Sequence, residues 1–199
     1  MSSNINLNII PVVKIKYKNK GCDKMKMDKI VVVEDFLSKS ELEKAFEIIN
    51  SKKWNYQHKS SGLFDHEVSF WSVSLDDEIF FTEHFKKAIE KYFSKRFEIN
   101  RVYANAQTFG QDGSYHIDDK DEKALTFVLY LNKIPKEDME LACGHIYFKF
   151  PELKYKICFE PFCNRGILFP SNYLHKATAF TRFVMDMRIC VAFKMREIV

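Results

Sequence analysis

The 199-residue sequence lacks the cysteine pattern of a disulfide-stapled domain or a zinc ribbon. Its five cysteines are odd in number and form no CxxC or CxxH pair, which argues against both classes. Cysteines of this kind fit a reducing compartment, so we expect a cytoplasmic protein. The sequence also contains no apolar stretch long enough to span a membrane, and its start lacks the basic region and cleavage site of a secretion signal. We therefore expect no membrane partner.

A strong charge excess is missing as well. The formal net charge of +4 is too mild to indicate an obligatory polyanionic partner. Seven lysines fall between residues 14 and 29, against only Asp23 and Asp28. We predict that residues 1–28 form a solvated basic arm, with nucleic-acid binding as the less favoured alternative. Residues 29–199 have the length of one domain with a sizeable core, and no internal repeat divides them.

The first half of the domain shows one short strand and two helices. Residues 30–33 are β-branched and predict a strand. Ser38 and Glu41 have the spacing of a capping box, and apolar residues follow at helical intervals up to Ile49. A second helix is predicted from about residue 78 to residue 95. We expect both helices to brace the outside of a large sheet and to carry no chemistry.

The second half consists of short runs rich in β-branched and aromatic residues, bounded by glycine, proline or asparagine. These runs cover residues 103–115, 125–132, 143–148, 164–170 and 188–193. Such a series is typical of an all-β sandwich or barrel. The aromatic content of 15%, with 19 phenylalanines, suits a small barrel filled by side chains. We place this barrel at about residues 100–194.

The residues that indicate a metal-binding site are His116-Ile117-Asp118 and the later His175. Side chains two apart on a β-strand point to the same face, so His116 and Asp118 could reach one metal ion together. A histidine from a neighbouring strand would complete a set of two histidines and one carboxylate. This set leaves coordination positions open and is typical of non-haem Fe(II) oxygenases. A His-x-Asp triplet taken alone is weak, because a histidine on a strand is more often a surface or core residue.

The motifs around the triplet resemble those of a known family. After His-x-Asp come Tyr-Leu-Asn at 130–132, Gly-His-Ile-Tyr-Phe at 144–148, Gly-Ile-Leu-Phe-Pro-Ser at 166–171, His175 and a basic final strand. In this order they resemble the Fe(II)- and 2-oxoglutarate-dependent dioxygenases, and most of all the prolyl-hydroxylase-like branch with its viral and phage members. The resemblance implies a mainly β fold with flanking helices (α+β). Its core would be a double-stranded β-helix, a jelly roll like that of the cupins, braced by two N-terminal helices.

The resemblance also implies roles for individual residues. His116, Asp118 and His175 would be the catalytic residues that hold iron. Arg188 would pair with the distal carboxylate of 2-oxoglutarate, because the planar guanidinium matches a carboxylate with two hydrogen bonds. Tyr130 aligns with a tyrosine that donates to the same carboxylate in part of the family, although it could equally be a core residue.

Further cosubstrate contacts follow from the same resemblance. Thr126, on the strand face of Tyr130, would line the pocket beside it. Gln107 stands where many relatives carry a tyrosine that touches the cosubstrate, and it could donate a hydrogen bond in its place. The family arginine usually follows the distal histidine by nine or ten residues, whereas Arg182 and Arg188 follow it by seven and thirteen. We favour Arg188, which lies on the predicted final strand, while Asp186 offers a purely structural partner for it.

The other histidines carry no such assignment. His145 lies among strand aromatics and is expected to be packed or to line the pocket. His58, His66 and His84 precede the barrel without a partner at metal-ligand spacing, and we interpret them as ordinary residues.

The activity implied by the resemblance is hydroxylation of a C–H bond, with O₂ and 2-oxoglutarate consumed and succinate and CO₂ released. Ascorbate is a candidate reductant. The leading substrate is a protein or peptide side chain such as proline. One alternative is an AlkB-like nucleic-acid demethylase, suggested by Asn105, Gly110 and the six-residue spacing of Arg182 and Arg188, but opposed by Gln107. Another is a non-catalytic, metal-binding cupin-like barrel. The loops at 56–70 and 133–142 would select the substrate.

Overall fold

A computed structural model describes residues 30–60, 68–151 and 153–198, so the predicted basic arm lies outside the described residues. In chain order the elements are β1 (Val31–Val33), α1 (Lys39–Ser51), β2 (Asn55–His58), β3 (Phe70–Ser74), a π-helical segment (Phe80–Phe85) that continues into α2 (Lys86–Phe93), β4 (Arg96–Gln107), β5 (Ala124–Tyr130), a 3₁₀ turn (Lys136–Asp138) leading into α3 (Met139–Ala142), β6 (Ile146–Phe148), β7 (Ile157–Phe159), β8 (Gly166–Pro170), β9 (His175–Ala177) and β10 (Arg188–Ile198).

The strands form two antiparallel sheets. The major sheet has seven strands in the order β1-β8-β5-β10-β4-β3-β2, and the minor sheet has three in the order β7-β6-β9. The last strand, β10, lies between β4 and β5, so residues distant in sequence become neighbours at the centre of the major sheet. Residues of both sheets line a common cavity. This jelly-roll arrangement with flanking helices confirms the predicted fold class.

The two helices cover the outer face of the major sheet. The predicted capping box is present at the start of α1, where Ser38 Oγ accepts from the Glu41 backbone N–H and Glu41 Oε2 accepts from the Ser38 N–H at 2.8 Å. The helices bury Ala45 and Ile49 of α1, together with Phe81, Phe85 and Ile89 of the second helical segment, against the sheet. Burying each phenylalanine contributes roughly 1.5–3 kcal/mol. The face of the sheet that remains for chemistry is therefore the inner one.

A single asparagine joins the start of α1 to the turn before β8. Asn164 adopts a left-handed conformation with φ of 65°, which asparagine tolerates better than most residues. Its buried side chain accepts from the Leu37 N–H at 2.9 Å and donates to the Leu37 carbonyl at 2.8 Å. Both backbone groups are thereby satisfied away from water. This contact fixes the path of the chain into α1.

Residues 133–142, predicted as a loop, contain the 3₁₀ turn and α3 instead. Met139 and Ala142 are buried there against Phe180, and this tertiary contact stabilises helices too short to be stable alone. Within the described ranges, the helices are too short or too polar to cross a membrane.

Candidate active site

His116 and Asp118 do not lie on a regular strand, so the prediction that strand periodicity aligns them was wrong. His116 forms one isolated antiparallel bridge with His175, with both N–H to carbonyl distances at 2.9 Å. The chain then bends, and the Asp118 N–H donates to the Ser171 carbonyl at 2.8 Å. Gly113 lets the segment approach β9, because a Cβ there would lie 3.2 Å from the Ala177 carbonyl oxygen. A bridge followed by a bend, and not a strand, brings the residues together.

The side chains of His116, Asp118 and His175 converge, and one potential ligand atom from each lies within 4.8 Å of the other two. The Nε2 atoms of His116 and His175 are 3.4 Å and 3.6 Å from the two Asp118 carboxylate oxygens. The Nδ1 atoms lie 2.9 Å and 2.8 Å from the carbonyls of Ser114 and Tyr173. Because a carbonyl only accepts, each Nδ1 carries a proton, and each Nε2 is the atom that can offer a lone pair to a metal ion. The donor set fits a divalent metal ion.

Rigid surroundings hold the His175 ring in place. His175 is only 6% exposed, and its ring packs against Phe169 and Phe148 with centroids 4.8 Å and 5.9 Å away. Burial lowers the pKa of His175 to about 4, although the Asp118 carboxylate opposes the change. The imidazole is therefore neutral at pH 7, as a metal ligand must be.

Asp118 lies in a dense network of polar contacts. Thr126 Oγ1 donates to Asp118 Oδ2 at 2.7 Å and lies 2.9 Å from Ser171 Oγ, while Lys194 Nζ contacts the same carboxylate oxygen. Burial alone would raise the pKa of Asp118, but His116 and Lys194 hold it well below its usual range. Thr126 thus lines the cavity at its metal end and orients the carboxylate, four residues before Tyr130 on β5.

Lys194 was not singled out from the sequence. Its side chain faces the cavity because alternate residues of a strand share one face, and Lys194 shares its face of β10 with Arg188, Cys190 and Ala192. Extending the face of Arg188 along the final strand would have found it. The contact with Asp118 depends on sheet pairing and could not be read from spacing.

Arg188 lies at the opposite end of the same cavity face and is only 1% exposed. Its Nε donates to the Gly144 carbonyl at 2.6 Å, and its Nη1 donates to Gln107 Oε1 at 3.0 Å. Within residues 30–60, 68–151 and 153–198, no carboxylate lies within ion-pair distance of this guanidinium. A buried cation of this kind is costly unless an anion completes its shell.

The proposed structural partner of Arg188 does not serve this purpose. Asp186 is exposed in the loop before β10, outside the inner cavity. Arg182 is exposed as well, with its guanidinium 5.3 Å from the Phe183 ring centroid. Only Arg188 of the two candidate arginines lines the cavity, so the arginine pair expected of an AlkB-like enzyme is not assembled there.

Polar atoms beside Arg188 are left without partners. Tyr130 is 1% exposed, its ring centroid lies 5.1 Å from the Arg188 guanidinium carbon, and its hydroxyl has no hydrogen-bond partner in the described structure. Burial raises the pKa of Tyr130, so this hydroxyl is a donor at any ordinary pH. The buried Asn105 Oδ1, also on the cavity, is likewise unpaired. A buried cation and an orphaned hydroxyl together fit a ligand that ends in a carboxylate.

Gln107 is committed to protein contacts. Besides accepting from Arg188, it donates through Nε2 to the Gln111 carbonyl at 2.6 Å. The side chain therefore holds the guanidinium in position, and one of its two amide N–H groups already has an acceptor.

The cavity has a volume of about 350 Å³ and extends from Arg188 past the three converging residues to an open mouth. His58, Lys59 and Arg101 line this mouth, so His58 is closer to the site than its sequence context indicated. Burial lowers the pKa of His58, and the cationic Arg101 adds to the effect. Of the remaining histidines, His145 packs beside Tyr147, His84 pairs with Glu41 at 2.6 Å, and His66 lies outside the described residues.

Comparison with known proteins identifies the fold. No protein-family model and no characterised protein sequence matches this chain. Among solved structures, a 2OG-Fe(II) oxygenase family oxidoreductase from Burkholderia pseudomallei superposes with a TM-score of 0.65 at 9% identity, covering 84% of this chain and 85% of that one.

Two prolyl hydroxylases are similar to a comparable degree. The enzyme from Trichoplax adhaerens, solved with a fragment of the hypoxia inducible factor oxygen degradation domain, has a TM-score of 0.62 at 13% identity, covering 85% of this chain and 84% of its own. The viral collagen prolyl hydroxylase of Paramecium Bursaria Chlorella virus-1, solved with 2-oxoglutarate, has a TM-score of 0.57 at 18% identity, covering 85% of this chain and 97% of its own. At these identities the likeness establishes the fold, and this chain has the double-stranded β-helix fold of the 2-oxoglutarate- and Fe(II)-dependent oxygenases.

Proposed function

We propose that this protein is an Fe(II)- and 2-oxoglutarate-dependent hydroxylase. One observation carries the proposal: a buried arginine without a carboxylate partner in the described structure shares one cavity with two histidines and an aspartate suited to a divalent metal. A cupin-like barrel that only binds metal has no use for Arg188. The cost of burying that cation is offset when a dianionic cosubstrate binds.

Each residue has a defined task in this proposal. His116, Asp118 and His175 would hold the ferrous ion, which supplies the activation of O₂ and the oxidative decarboxylation of the cosubstrate when bound. Arg188 would bind the distal carboxylate of 2-oxoglutarate through the guanidinium edge that Gly144 and Gln107 leave free.

Neighbouring side chains keep this arrangement rigid. Tyr130 would donate its unpaired hydroxyl to the same carboxylate, since no other acceptor within the described residues reaches it. Thr126 holds the Asp118 carboxylate in place by a hydrogen bond of 2.7 Å. Preorganised donors of this kind cost little reorganisation when the ligand arrives.

The substrate class we propose is a protein or peptide side chain, with proline as the leading candidate. Two structures with this fold are prolyl hydroxylases, and one of them was solved with a peptide fragment bound. The cavity of about 350 Å³ would hold the cosubstrate together with one reacting side chain.

An anaerobic titration of the metal-free protein with Fe(II) and 2-oxoglutarate tests the proposal through the visible charge-transfer band of the chelate. The band should disappear in His116→Ala and should require far more 2-oxoglutarate in Arg188→Ala. The exposed residues His84 and Arg182 supply matched controls, and His84→Ala and Arg182→Ala should behave as the unmodified protein does. Folded, iron-loaded protein without a band would refute the oxygenase assignment and leave a metal-binding barrel.

A further inference from the structure

The mouth of the cavity brings together cations that the cosubstrate does not use. Arg101 of β4 and Lys194 of β10 are direct cross-strand partners, and both line the cavity. Like charges directly opposite each other in a sheet destabilise it unless something compensates them. Lys194 is compensated, because its ammonium group contacts the Asp118 carboxylate. Arg101 is exposed and makes no ion pair in the described part of the chain.

The Arg101 side chain is nevertheless held in a defined position. Its guanidinium carbon lies 4.5 Å from the centroid of the Tyr103 ring, which is the distance of a cation–π contact. Tyr103 is itself only 8% exposed and packs against His58, with centroids 5.9 Å apart. The contact with Tyr103 places the Arg101 guanidinium, which can bind a carboxylate through two N–H groups, at the entrance of the cavity.

A second cation lies at the same entrance. Lys59, directly after β2, is exposed on the mouth and also lacks a carboxylate partner within the described ranges. Among the described residues, the acid on the same mouth is Asp119, whose Oδ1 accepts from the Asp121 N–H at 2.9 Å. A ferrous ion and a 2-oxoglutarate dianion would cancel each other's formal charge. The excess positive charge that the described residues contribute to the mouth would therefore persist in the loaded enzyme.

We propose that Arg101, assisted by Lys59, recognises an acidic side chain next to the hydroxylated residue of a peptide substrate. The inference rests on the proposed function and adds the charge of its substrate. Arginine suits the task because its fork matches a carboxylate with two parallel hydrogen bonds. A peptide fits better than a nucleic acid, because the aromatic residues of the described lining, Phe70, Tyr103 and Tyr130, are 4%, 8% and 1% exposed and present no free face to a base.

The test uses three pools of proline-centred nonapeptides whose flanking positions carry glutamate, glutamine or lysine. Hydroxylation is followed by the mass increase of the peptide, and binding by fluorescence anisotropy with an uncharged dye. We expect the glutamate pool to be preferred, with at least about tenfold weaker binding of that pool to Arg101→Gln. Lys59→Gln should weaken it less. Arg96→Gln, on the exposed far end of the same strand, is the matched control and should keep the preference.

A charge-reversed variant distinguishes the loss of this recognition contact from misfolding of the protein. Arg101→Glu should shift the preference towards the lysine pool, a gain that a damaged fold cannot produce. Equal binding of the three pools, or a preference for lysine by the unmodified protein, would overturn the inference. Salt-dependent binding of a single-stranded DNA oligonucleotide that is lost in Arg101→Gln would overturn the peptide assignment. The chelate band on the same samples tests the proposed function separately, since anisotropy requires no turnover.

Discussion

Replacing Arg188 with methionine separates the cosubstrate role of this residue from its role in the fold. The change removes two charge-assisted hydrogen bonds, to the Gly144 carbonyl and to Gln107 Oε1, each worth about 1.5–3 kcal/mol. It also removes a buried cation, whose desolvation costs several kcal/mol. These opposing terms are similar in size, so the free energy of unfolding of the ligand-free protein should change by less than about 2 kcal/mol.

The effect on 2-oxoglutarate binding should be much larger. Removing one partner of a buried charge pair costs about 3–5 kcal/mol, which weakens binding by roughly two to four orders of magnitude. At a concentration of 100 times the Kd, 2-oxoglutarate should stabilise the iron-loaded protein by about 2.7 kcal/mol. The same concentration should stabilise Arg188→Met by at most about 0.4 kcal/mol.

Anaerobic urea unfolding of the iron-loaded protein, with and without 2-oxoglutarate, measures both quantities in one experiment. Arg182→Met is the control, because that arginine is exposed and lies away from the inner cavity. Equal stabilisation of Arg188→Met and the unmodified protein by 2-oxoglutarate would refute the assignment of Arg188 as the cosubstrate anchor. A loss of stability much above 2 kcal/mol without ligand would show that Arg188 is mainly structural.

Three further predictions concern stability. His175 has a pKa of about 4 in the folded state, against a reference value of 6.5. The metal-free protein should therefore lose roughly 3 kcal/mol of stability as the pH falls from 6.5 to 4, because the unfolded chain binds the proton more readily. The urea midpoint should decline over this range, and His175→Gln should flatten the decline. Asn164→Ala should lose about 2–4 kcal/mol by leaving the Leu37 N–H and carbonyl unsatisfied, and chemical denaturation that shows no loss would contradict this. Gly166→Ala should lose about 1–3 kcal/mol, since its Cβ would clash with the Phe127 ring, and an unchanged melting temperature would contradict this.

Local patterns in the sequence were sufficient for the two long helices and for a mainly β second half. The capping box and the helical spacing up to Ile49 depend on residues three or four apart, and the structure shows both. The predicted runs match the strands in part: four of them overlap with β5, β6, β8 and the start of β10, whereas β4 ends at Gln107 and residues 108–115 of the first run form no strand. The stretch at 133–142 was missed because α3 is stabilised by burial of Met139 and Ala142 against Phe180, about forty residues away in sequence.

Residue chemistry together with the family resemblance selected the candidate metal ligands and the arginine. His116, Asp118 and His175 are of the type that a non-haem iron site requires, and Arg188 lies on a final strand that is otherwise apolar. Tertiary structure decided everything that depends on pairing between distant strands. The contact of Lys194 with Asp118 and the burial of Arg188 without a carboxylate among the described residues depend on β10 lying between β4 and β5. The same pairing places Arg101 of β4 opposite Lys194 at the mouth. A shift of one residue in the register of β10 would turn Arg188 and Lys194 to the opposite face of the sheet, and no local pattern encodes that register.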